Sequence, residues 1–344
     1  MRVVRRLPAG PRPFPEPILA IGNFDGVHLG HRTILDAAAR LATTLDSCVV
    51  AFTFRPHPVA LLAPERAPPQ IMSLARRLDA LAGVGVAGTV VVPFTRQFSQ
   101  ISADHFVEEI LVRRLGVRGI VVGPDLRYGQ GRQGNPETLR EAGRQAGFEV
   151  EIVEPVVVAG ERVSSTAVRA ALLDGDVERA ARLLGRPHQI HGRVRAGDRR
   201  GAQLGFPTAN LLPRGGLLPP DGVYAVSVRI DGEAGRQSGV ANLGTNPTFG
   251  GVVRRLEVHL LDFARDLYGC RLEVDFESRL REERCFGSVQ DLVVQIGLDV
   301  EAARARLGKG ADGNRDRDRD RDGDRDGNRD RDAGKGPGPD GGAP

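Results

Sequence analysis

The sequence predicts an α/β plus β fold: a domain on a parallel sheet, then a small antiparallel β-barrel, then a disordered tail. Three observations predict it. Between residues 18 and 185 short apolar runs alternate with segments of helical apolar spacing, the rhythm of an open α/β sheet. From Gln189 strand-like pieces punctuated by glycine and proline take over, which suits a small barrel. From residue 309 the chain is Arg-Asp repeats with glycine and proline, a polyampholyte with nothing to bury.

In order, Ile18–Ile21 reads as a short buried strand, His31–Leu45 as a helix and Ser47–Phe54 as a second strand. Leu74–Ala82 (helix), Thr89–Pro93 (strand), Asp104–Leu115 (helix) and Gly119–Val122 (strand) follow. Pro136–Ala146 is a helix, Phe148–Val153 a fifth strand, and Thr166–Asp174 and Asp176–Leu184 a helix pair. The barrel strands are expected at Gln189–Val194, Gly222–Ile230, Gly239–Leu243, Arg255–Leu261 and Arg271–Leu280, closed by a helix at Val289–Leu307. Two folded domains, residues 1–185 and 186–308, and a tail, 309–344, result. A chain of 344 residues is long enough for both.

Composition narrows the chemistry. A formal charge of +4 is too mild to call for a nucleic-acid partner. No apolar run nears the roughly 18 residues of a membrane span, and no signal-peptide h-region follows Met1–Gly10. Cys48, Cys270 and Cys285 are isolated, so no disulfide framework or thiolate zinc site is suggested, and a reducing cytoplasm is the expected location. Lys309 and Lys335 are the only lysines, both in the tail. That excludes a Walker A loop, the strand lysine of protein kinases and a Schiff-base lysine in the folded body. Any ATP must be gripped by arginine, histidine, backbone N–H groups and metal.

Gly22-Asn23-Phe24-Asp25-Gly26-Val27-His28-Leu29-Gly30-His31 leaves a buried strand and opens a helix. Ligands of open α/β sheets bind at strand carboxyl ends, and a helix start favours phosphate. His28 and His31, three apart, share a helix face, and Gly30 lets a phosphate approach. Farther on, Ser165 and Thr166 are capping types at a helix start, with Arg169 one turn later. Hydroxyls, free N–H groups and a guanidinium there would make a triphosphate cradle without lysine. In the second half, Gly192, Gly197, Gly201 and Gly205 precede Phe206-Pro207-Thr208-Ala209-Asn210. Thr208 and Asn210 point the same way on an extended segment and are oxygen ligands of the kind Mg²⁺ accepts beside phosphates and water.

The first stretch resembles the His-x-Gly-His motif of the nucleotidyltransferase superfamily, and its wider form resembles that of bacterial bifunctional riboflavin kinase/FAD synthetases. Phe54-Arg55-Pro56-His57-Pro58, Gly123-Pro124-Asp125-Leu126-Arg127-Tyr128-Gly129 and Ser164-Ser165-Thr166-Ala167-Val168-Arg169 agree in order and spacing. Pro-Thr-Ala-Asn at residues 207–210, Gly239–Phe249, Glu257–Phe263 and Asp266–Gly269 resemble the family's kinase half. Arg55, Pro124 and Leu126 depart from its commoner residues, and Ala202 follows Gly201 where the family often has arginine; the resemblance then implies either weaker ATP binding by this module or Arg199 or Arg200 in that arginine's place.

The resemblance implies a Rossmann-like nucleotidyltransferase (FMN adenylyltransferase) domain followed by a riboflavin kinase barrel, making FMN from riboflavin and FAD from FMN. ATP is the co-substrate of both steps, with Mg²⁺ or Mn²⁺; riboflavin, FMN and ATP are the small-molecule partners, and FMN and FAD the products. It assigns ATP to Gly22, Asn23, Phe24, His28, His31, Ser165, Thr166 and Arg169, with both histidines near the α phosphate. It makes Glu257 the base that takes the riboflavin hydroxyl proton, and gives kinase ATP and metal to Gly201, Thr208 and Asn210. His57 reads as a turn residue or part of the flavin pocket. Asp125 reads as a turn former or a contact to adenine, ribose or flavin, and Arg281 as a flavin-pocket arginine or a surface ion pair. Two other readings compete. An adenylyltransferase for a different phosphorylated metabolite has no use for residues 186–308. A nucleotide-binding regulator would have lost His28, His31, Arg169, Thr208 or Glu257, and all five are present. No nucleic acid and no membrane are expected, and an oligomer is compatible with a sequence that carries no signal for one.

Overall fold

The computed structural model describes every residue except Ala9, Asp198, Arg199, Arg214, Phe249, Gly250 and residues 323–344. Arg199 and Phe249 of the motifs above therefore lie outside the described residues.

Six strands form one parallel sheet in the order β1-β4-β3-β2-β5-β6. They are β1 (Arg2–Val4), β2 (Ile18–Ile21), β3 (Val49–Arg55), β4 (Gly88–Pro93), β5 (Gly119–Val122) and β6 (Glu149–Ile152). Apolar residues on both strand faces let helices cover both sides. Leu19, Ile21, Val50, Phe52 and Ile120 pack into one core cluster. The intervening Ile18, Ala20, Val49, Ala51 and Val121 pack into another. Leu19→Ala would cost about 2–5 kcal/mol in such a site. From the central β2 the chain builds outward to β3 and β4, then returns to place β5 on the other side. In such sheets the usual ligand position is outside the strand carboxyl ends at that reversal, here those of β2 and β5.

The expected helices stand at Leu29–Thr44, Leu74–Gly83 and Pro136–Ala146. Phe106–Leu115 is π-helical rather than α-helical; the wider turn keeps Phe106, Val107, Ile110, Leu111 and Leu115 all buried. A hairpin of β7 (Val157–Val158) and β8 (Glu161–Arg162) leads into the helices Ser165–Leu173 and Val177–Leu184.

The second half closes into a barrel, β10-β13-β12-β11-β14-β9, with β9 paired to β10. Its strands are β9 (His188–Arg195), β10 (Ala209–Leu211), β11 (Gly222–Ile230), β12 (Gln237–Thr248), β13 (Gly251–Leu260) and β14 (Arg271–Arg281). All pairings are antiparallel. Ile190, Val194, Leu211, Val226, Leu256 and Phe276 fill the interior with neighbours of the same alternation. β1 and β10 were not expected, and β12 and β13 run longer than their apolar centres suggest. The last helix covers Val289–Asp322. It passes residue 308 into the stretch expected to be disordered, and the remainder of that stretch lies outside the described residues.

Candidate active sites

The loop from β2 into the helix Leu29–Thr44 is tightly folded. Phe24 and Val27 take left-handed φ of 50° and 42°, and Gly26 takes 92°. Such backbone persists only where surroundings over-determine it. Gly22 makes room for the Phe24 ring, 3.3 Å from where a Cβ would stand, and Gly30 does the same for the His28 ring at 3.3 Å.

His28 caps the helix: its Nδ1 accepts the His31 backbone N–H at 3.3 Å. Nε2 therefore carries the hydrogen of the neutral ring. The two imidazoles stack with centroids 3.6 Å apart and planes 19° apart. Burial lowers the His28 pKa to about 4, opposed by Asp25 and reinforced by Arg169 and Arg186. Burial, then the neighbouring His28, Arg77 and Arg169, hold His31 well below its ordinary value. Near neutral pH the pair is uncharged, and His31 Nδ1 is buried without a hydrogen-bond partner. An arriving anion would supply that partner and offset the surrounding cations.

Asp25, only 2% exposed, organises those cations. Its carboxylate accepts the backbone N–H groups of Ile71 at 3.0 Å and Met72 at 3.3 Å, and Arg169 at 2.7 Å, and pairs with Arg77 at 3.6 Å. Arg169 also donates to the Pro69 carbonyl at 2.8 Å, and the Ser165 hydroxyl to the Asp25 carbonyl at 2.9 Å. Arg186 ties down the same loop by donating to the Gly26 carbonyl at 2.8 Å and the Val27 carbonyl at 3.2 Å. Burial and the nearby Arg32 lower its pKa to about 10.

Most sequence-predicted residues of this site thus come together. Ser164, not Ser165 or Thr166, is the helix cap, accepting Ala167 N–H at 3.1 Å. Ser165 instead reaches the Asp25 loop, and Thr166 is exposed on the first turn. The amide of Asn23 and His57 Nε2 are 3.0 Å apart. His57 caps a helical turn, Pro58–Leu62, and lines a cavity of about 160 Å³ with Phe54, Gln70, Ser73 and Arg77. Asp125 sits exposed on the loop after β5 and pairs with Arg162 at 2.5 Å. Sequence reasoning missed Asp25, Arg77 and Arg186. A charged residue within an otherwise small and apolar loop was the available signal for the first, and nothing marked the arginines.

The second site lies on the outer face of the barrel. Asn210 on β10 and Asn242 on β12 are both register partners of Glu257 on β13, one on either side. The neighbouring Ala209, Leu211, Leu256, Val258, Ala241 and Leu243 point inward, so alternation turns all three polar side chains outward. The preceding loop leans on them. A Cβ on Gly197 would come 2.3 Å from the Asn210 amide, and one on Gly201 would stand 2.5 Å from the Phe206 carbonyl and 3.4 Å from the Thr208 hydroxyl. Glycine thus lets the backbone close over Thr208 and Asn210. His259, two residues along β13, faces the Pro207 carbonyl at 2.9 Å. Arg281 is held elsewhere: it grips Asp299 of the last helix bidentately at 2.8–2.9 Å, largely buried, and lies over the Phe286 ring.

The family model for FAD synthetase matches residues 13–167, and that for riboflavin kinase matches residues 184–307. The bifunctional riboflavin kinase/FMN adenylyltransferase of Escherichia coli (strain K12) is 42% identical over 291 residues, covering 85% of this chain and 93% of its own. The protein so named from Pseudomonas fluorescens is 46% identical over 291 residues (84% and 92%), and that from Haemophilus influenzae 40% over 306 residues (89% and 99%). A solved Streptococcus pneumoniae structure, named a macrolide-efflux protein, shares 32% identity at a TM-score of 0.80, covering 88% of this chain and 99% of that one. Among the described residues here, no helix is long and apolar enough to cross a membrane.

Proposed function

This chain belongs to the family of bacterial bifunctional riboflavin kinases/FMN adenylyltransferases, and from that premise we propose how its residues divide the work. The protein phosphorylates riboflavin to FMN and adenylylates FMN to FAD, using ATP in both steps. We assign residues 1–185 to the adenylyltransferase, 186–308 to the kinase, and the whole to the cytoplasm.

In the adenylyltransferase, an FMN phosphate oxygen attacks the α-phosphorus of ATP, and the bond to the departing pyrophosphate breaks. The nucleophile is already anionic, so the work is positioning and charge stabilisation. His28 and His31 donate to the α phosphate, while Gly22, Asn23 and Phe24 shape the nucleotide's loop. Arg169, aimed by Asp25, meets the β and γ phosphates with Ser165 and Thr166 at the helix start. His57, beside Arg77 in the small cavity, is placed for the flavin side, and Asp125, exposed on the loop after β5, is assigned to adenine, ribose or flavin.

In the kinase, Glu257 takes the proton of the riboflavin primary hydroxyl as that oxygen attacks the γ-phosphorus and ADP leaves. Gly201 brings the loop over the nucleotide. Thr208 and Asn210 would hold Mg²⁺: two neutral oxygen donors beside a carboxylate suit an ion that keeps phosphates and water as its other ligands. Among the described residues no group of three or more His, Cys, Asp or Glu offers a cage for a metal by itself. Bound by Thr208 and Asn210, the ion would neutralise charge on the transferring phosphate. Arg281 belongs to the barrel's support rather than to this pocket.

The observation that carries the assignment is the placement of Glu257 between Asn210 and Asn242, on a barrel separate from the His28–His31–Arg169 constellation. Chromatography of the chain with riboflavin, ATP and Mg²⁺ tests it. FMN should appear first and FAD second, and omitting the metal should stop both. A chain that converts supplied FMN to FAD but never phosphorylates riboflavin would refute the kinase half.

A further inference from the structure

We propose that the cleft between the sheet domain and the barrel is a third ligand site, which holds the phosphate of FMN between its synthesis and its use. The inference rests on the division of labour above, in which the barrel makes a phosphomonoester dianion and the sheet domain consumes it.

The cleft measures about 610 Å³ and is walled by the helix Leu74–Gly83 on one side and by β9, β11 and β14 on the other. That volume suits a small molecule, for which about 300–1,000 Å³ is usual. Five arginines face three carboxylates along it. Arg76 and Arg229 share Glu273, at 2.9 and 2.5 Å. Among the described residues, Arg193, Arg195 and Arg271 make no ion pair, and Arg193 and Arg271 are direct register partners. Like charges opposite one another on a sheet repel, and a dianion between their guanidinium groups turns that repulsion into binding.

Position gives the ligand its identity. Arg195 is the register partner of Asn210, which is in turn the partner of Glu257. Two strand spacings, roughly 10 Å, therefore separate this end of the cleft from the kinase base. At the other end Arg76 lines the cleft, while its neighbour Arg77 pairs with Asp25 and lines the small cavity with His57. Leu212 borders the cleft and Gly215, three residues on, borders the small cavity. One cationic surface thus runs from one reaction centre toward the other, and such a field retains an anion near the protein.

The test is isotope dilution on the full chain: labelled riboflavin, ATP and Mg²⁺ with a pool of unlabelled FMN. The expected early FAD carries several-fold more label than the bulk FMN. In Arg193→Gln/Arg271→Gln that enrichment disappears while FMN formation from riboflavin and FAD formation from supplied FMN are unchanged. Arg193→Lys/Arg271→Lys restores it, which separates charge from folding. FAD at the bulk label from the start, or enrichment that survives the glutamine pair, overturns the site. If the glutamine pair instead raises the KM for ATP in either half-reaction, the cleft holds nucleotide and the FMN assignment is wrong. A wild-type chain that makes no FMN at all fails at the kinase assignment, and the holding site falls with it.

Discussion

Arg169 donates to Asp25 at 2.7 Å across 144 residues of sequence, joining the start of a late helix to the loop that presents His28. The same carboxylate pairs with Arg77, and all three side chains are largely buried. A buried carboxylate between two guanidinium groups fixes where each cation points, and removing it leaves two cations without a counter-ion. Asp25→Asn should therefore cost about 3 kcal/mol of stability and slow FAD formation from supplied FMN on the order of 10²-fold. FMN formation by the folded fraction of the variant should hold steady. Equal loss of both activities, after correction for folding, would show that Asp25 serves the fold alone.

Glu257 and His28 give a crossed pair of outcomes. Glu257→Gln should lower FMN formation by about 10²–10⁴-fold and spare FAD synthesis from supplied FMN. His28→Ala should slow FAD formation on the order of 10²-fold and spare the kinase. The measurement is the two half-reactions run separately on each variant. Losses that fail to cross would undo the division of labour.

How legible this was depends on the range of the interactions. The helix at 136–146 and the strands at 18–21, 119–122 and 222–230 match their expected bounds, because apolar spacing and glycine or proline ends are local signals. The strand expected at Gly239–Leu243 runs on through Pro247, which has Val252 as register partner in β12; pairing in a hairpin outweighs the local preference of proline. β10 is three residues long, too short to show alternation. His28, His31, Arg169, Asn210 and Glu257 could be picked out because each lies within a compact motif, and the fold brings the first three together and pairs the last two. Asp25 was in view but its role was not, since its partners stand at Ile71, Arg77 and Arg169. The arginine cleft needed a helix of one half laid against strands of the other, which no local pattern announces.

Acid should loosen the structure before ordinary carboxylates titrate. Burial lowers both His28 and His188 to about 4 from 6.5; His188 Nε2 contacts the Leu217 carbonyl at 2.8 Å. The unfolded chain then binds protons between pH 6.5 and 4 that the folded chain refuses. Their contribution is thus complete above pH 6.5 and is lost as pH falls toward 4. By pH 5 each histidine should account for about 2 kcal/mol of lost stability. Urea midpoints at pH 7, 6 and 5 check it, with a flatter dependence expected for His188→Gln. A wild-type midpoint that does not move over this range would contradict the burial of both imidazoles.

Arg281 offers the sharpest choice between two roles. Its guanidinium meets Asp299 with two parallel bonds, and the side chains are 12% and 6% exposed. Gln295 adds a bond to the same carboxylate at 2.9 Å. The pair clamps the last helix to the end of β14, so breaking it should act on stability first. Arg281→Gln and Asp299→Asn should each cost about 3–5 kcal/mol. The double variant should cost less than their sum, because neither then leaves a buried charge alone. Residual folded enzyme should keep its KM for riboflavin. A full-strength melting temperature with a raised riboflavin KM in Arg281→Gln would move this arginine from the support of the barrel into the flavin pocket.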